Sequence, residues 1–88
     1  MKRKLAKDFN QIFDQPISEL EKVRQGFDWV IDMYLKESLL DQEALLALGD
    51  RERLVKEQIK ISTLRHARQI FGDCYTRATG RKAWDDEN

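Results

Sequence analysis

The stretch SELEKVRQGFDWVIDMYLKE, Ser18 to Glu37, decides the fold class. Leu20, Val23, Phe27, Val30 and Tyr34 recur in it at steps of three, four, three and four, with Ile31 beside them. That spacing gathers apolar side chains on one side of a helix and gives none of the alternation of a strand. Ser18 followed three residues later by Glu21 has the form of a capping box, so the helix is expected from about Glu19 to Glu37, roughly 28 Å long. A seam of only about two heptads favours an antiparallel bundle over an extended coiled coil.

Outward from this helix the punctuation is sparse. On the N-terminal side, Leu5, Phe9, Ile12 and Phe13 have helical spacing, and Asp14-Gln15-Pro16 should end a short first helix. On the C-terminal side, a break after Ser38 is expected, then a short third helix from Asp41 to Leu48 stopped by Gly49. Ala44, Leu45, Leu46, Ala47 and Leu48 make that piece apolar nearly all round, which predicts burial. Asp50 reads as the N-cap of the longest helix, Arg51 to about Thr79, with Gly80 at its C-terminal end. The expected fold is therefore all-α, a small antiparallel helical bundle with two long helices and one or two short ones. The 88-residue length fits a single domain over residues 1–82, and the acidic residues 83–88 read as a frayed tail.

The last long helix carries two apolar rows. One holds Leu54, Ile61, Leu64, Phe71, Tyr75 and Ala78; the other, on a different face, holds Val55, Ile59, His66 and Ile70. Either one row serves the core while the other meets a second chain, or both lie under the remaining helices. Trp29 and Met33, one turn apart, pose the same choice. They form an interface anchor, or Trp29 packs under the first or third helix with Phe9, Ile12 and Phe13. Gly26, one turn earlier, costs the helix about 0.8–1 kcal/mol relative to alanine and would admit a close backbone.

Catalytic and metal chemistry find little to work with. The only histidine, His66, and the only cysteine, Cys74, lie eight residues apart on one helix, about 80° from each other around its axis. They make no dyad, so Cys74 reads as a small core residue and His66 as a packing or pH-sensitive contact. A structural zinc site needs four ligands, Glu21, Asp28 and Asp32 do not form a calcium loop, and the glycines are too scattered to cradle phosphate. No enzyme, metal or cofactor is expected. A lone cysteine, no apolar run long enough to cross a membrane, and no apolar run after the basic residues Lys2, Arg3 and Lys4 point to the cytoplasm.

The formal net charge is zero but unevenly spread: seven basic against ten acidic residues up to Asp50, nine against three from Arg51 to Lys82, and three acidic ones beyond. The basic segment opens a nucleic-acid reading through Arg65, Arg68, Arg77, Arg81 and Lys82. The turn Leu48-Gly49-Asp50 is similar to that of a helix-turn-helix, yet the following helix opens Arg51-Glu52-Arg53 and continues to Glu57, mixing charges where phosphates would lie. The favoured expectation is a protein-binding regulator, adapter or inhibitor, homodimeric, whose partner-binding residues are Trp29, Met33, Val55, Ile59, His66 and Ile70.

Overall fold

The computed structural model describes residues 2–85, with side chains from Asp8 onward. Three helices follow in order: α1 (Lys2–Phe13), α2 (Glu19–Leu48) and α3 (Arg51–Thr79), and no strand occurs among the described residues. The protein is all-α, with two long helices and one short one.

Local chemistry sets each boundary. Beyond α1 the amides of Asp14 and Gln15 donate to the carbonyls of Gln11 and Ile12 at 3.2 and 3.4 Å. Pro16, which has no amide hydrogen to donate, then prevents the helix from continuing. Ser18 opens α2: its Oγ accepts from the Glu21 amide at 3.2 Å and its carbonyl from the Lys22 amide at 3.0 Å. The Glu21 carboxylate also takes the Arg24 guanidinium, with Nη2 2.8 Å from Oε1.

The expected break at Ser38 and the separate helix over 41–48 do not occur; α2 runs unbroken to Leu48. No residue between Ser38 and Asp41 lacks an amide hydrogen or needs a left-handed backbone, so nothing there stops the hydrogen-bond ladder. The stop comes at Gly49, whose φ of 72° is strained for any residue with a Cβ. Its amide donates to the Leu46 carbonyl and the Asp50 amide to the Leu45 carbonyl, both at 3.2 Å, which is a Schellman closure. Asp50 then caps α3, its Oδ1 accepting from the Arg53 amide at 3.2 Å. Two residues thus satisfy the end of one long helix and the start of the next. At its far end α3 closes on Gly80, left-handed at φ 73°, whose amide reaches the Thr76 carbonyl at 2.7 Å.

The chain divides into two compact units, Met1–Val30 and Ile31–Asn88, with the boundary inside α2. In the first unit, Phe9 of α1 meets Phe13 edge-on at 5.0 Å and Trp29 of α2 at 5.3 Å between ring centres. Gly26 faces the same cluster. A Cβ there would sit 2.7 Å from Cζ of Phe13, so the space its missing side chain leaves is filled by an aromatic ring and not by a backbone. Placing α1 over Gly26 and Trp29 turns part of the expected seam outward: Leu20 and Val23 are exposed, and Phe27 and Val30 are half-buried.

The second unit has a different seam. On α2, Ile31 and Ser38 are buried and Leu35, Gln42 and Leu45 half-buried, at steps of four, three, four and three. On α3, Leu54, Glu57, Ile61, Leu64, Arg68, Phe71 and Tyr75 form the matching inner row, with Ile61 and Tyr75 fully inside. Such rows are what two long helices offer each other along a shared stripe. Near the turn both helices line a cleft of about 380 Å³, through Asp41, Ala44 and Leu45 on one side and Arg53, Lys56 and Glu57 on the other.

Ala83 and Trp84, which the sequence places in a frayed tail, are among the most buried residues. After Gly80 the chain turns back along α3, and the Trp84 indole stacks on Phe71 at 5.7 Å with an interplanar angle of 29°. Its Nε1 donates to the Arg68 carbonyl at 3.1 Å, and the Arg68 guanidinium carbon lies 4.4 Å from the ring centre. Asp85 is exposed, and 86–88 lie outside the described residues.

Two stability outcomes follow from these contacts. Trp84→Ala lowers unfolding stability by about 3 kcal/mol or more, whereas Trp84→Phe, which keeps the stacking and loses the donor, lowers it by about 1 kcal/mol; denaturant titration reads both. Gly26→Ala should fail to deliver the helix gain of about 1 kcal/mol in the wild type and recover it in a Phe13→Ala background. A full gain in the wild type would show that the Phe13 ring does not depend on Gly26.

Candidate protein-interaction surface

The outer side of α3 carries what its inner row leaves over. At about 100° per residue the centre of the row Val55, Ile59, His66 and Ile70 lies on the opposite side of the helix from Ile61 and Tyr75. Val55 is 53% exposed, Ile59 60% and Ile70 51%, and His66 is exposed with them. The row expected to meet a second chain is thus brought together on one open face. Ser62 and Thr63, both exposed, occupy its middle.

The C-terminal part of α2 carries further exposed apolar residues in the same unit, off its own inner row. The run Ala44 to Leu48 is expected to be buried, yet Leu46 and Leu48 are 57% and 77% exposed, and Leu40 ahead of it is 66% exposed. A neighbouring helix covers only a stripe of its partner, and the stripe α2 gives to the interior passes through Ile31, Ser38 and Leu45. The remaining leucines point elsewhere. Burying one such side chain stabilises by about 1.5–3 kcal/mol, so the exposed set is a large unused reserve.

The other expected anchors lie differently. Trp29 is half-buried in the first unit, its ring centre 5.3 Å from that of Phe9. Met33 is half-buried in the second unit. Cys74, read as a core residue, is exposed. It precedes buried Tyr75, and one step along a helix turns a side chain by about 100°, so the two cannot share the inner row.

Of the basic residues, Arg65, Arg77, Arg81 and Lys82 are exposed and Arg68 is half-buried. Arg68 lies over Trp84, and Arg81 lies 5.9 Å from the Tyr75 ring centre with Nη2 donating to the phenol oxygen at 3.3 Å. Ion pairs on the surface are local: Asp32 with Lys36 at 2.9 Å, Asp50 with Arg53 at 3.7 Å and Glu52 with Lys56 at 3.9 Å. The hydrogen bond and negative charge of Asp32 raise the Lys36 pKa above the ordinary lysine value. Among the described residues no group of three or more His, Cys, Asp or Glu is placed to hold a metal ion, and no helix is long and apolar enough to cross a membrane.

Sequence reasoning missed Trp84 and the exposure of Leu40, Leu46 and Leu48. The signal for Trp84 was present: an aromatic residue four positions past a glycine cap has little reason to be there unless it folds back. No protein family, curated protein or solved structure matches the chain.

Proposed function

We propose that this chain is a non-enzymatic protein–protein interaction module, a small regulator, adapter or inhibitor of the cytoplasm, that works through the open helical faces of its second unit and associates as a homodimer. The observation that carries the reading is the exposed apolar row Val55, Ile59 and Ile70, lying in the same unit as exposed Leu40, Leu46 and Leu48. The same unit buries Trp84 to 3% exposure, so the chain has means of covering apolar surface and leaves this face uncovered. A second polypeptide with its own apolar helical face is the partner such a surface fits. Arg68 lies over the Trp84 ring and Arg81 donates to the Tyr75 phenol oxygen, so two of the five candidate nucleic-acid contacts have partners within the chain, which weighs against that alternative.

Sedimentation of the purified protein tests the reading. Wild type should sediment as a dimer, and Ile59→Asp as a folded monomer by circular dichroism. In a two-fold contact one substitution acts twice, and a hot spot of about 2 kcal/mol or more per site weakens association well over tenfold. A wild type that stays monomeric at high concentration would end the homodimer. Tight nucleic-acid binding that falls steeply with salt would replace the whole reading.

A further inference from the structure

We draw no further inference here: the strongest candidate, the exposed apolar row Val55, Ile59 and Ile70 on the outer face of α3, carries none because nothing in the structure shows what covers it.

Discussion

Two long helices bury only one stripe of each other, and most features of the second unit answer to that limit. The inner rows of α2 and α3 meet through Ile31, Ser38 and Leu45 on one side and Ile61, Leu64 and Tyr75 on the other. Whatever apolar surface lies off those rows needs a different cover or faces water. At the C-terminal end of α3 the cover is internal, because the left-handed turn at Gly80 returns Trp84 to Phe71 and Arg68. On the outer face of α3 no equivalent segment among the described residues lies over Val55, Ile59 or Ile70.

The distribution of polarity in this unit runs against what a self-sufficient pair would adopt. Ser38 is completely enclosed, and its Oγ, like Oε2 of Glu57, has no hydrogen-bond partner among the described residues. An enclosed polar group left unbonded costs about 1–3 kcal/mol. Leucines on the same helix, meanwhile, stand in solvent. Left unbonded, these two polar groups weaken the seam in which they lie. The outer faces of the pair hold the burial that would compensate.

What could be read in the sequence follows the range of the interactions concerned. Helix ends are settled within a few residues: Pro16, Ser18, Gly49, Asp50 and Gly80 each act where their chemistry places them. The separation of α3 into an inner and an outer row was legible too, because periodicity within one helix is geometry. The side of α2 that turns inward was not, since that depends on where Phe13 finds a slot, and Gly26 provides it. Ser38 misled for a related reason. Its preference for helix ends is weak, and flanking leucines that favour the helix outweigh it. Cys74 stands one step from buried Tyr75 and so falls outside the inner row, whereas Trp84 is buried because the chain reverses at Gly80, a path signalled only by an aromatic residue placed beyond a glycine cap.

The position of the two tryptophans has an optical consequence. Trp29 lies in the first unit against Phe9, and Trp84 in the second between Phe71 and a guanidinium. The chain contains no third tryptophan. Its intrinsic fluorescence is therefore the sum of two indoles, one for each unit and in chemically different surroundings. Replacing either with phenylalanine leaves a single emitter, so the melting of one unit is recorded independently of the other, with no added dye. The cooperativity of α2, the helix that runs through both, is then written in whether those two emission curves coincide.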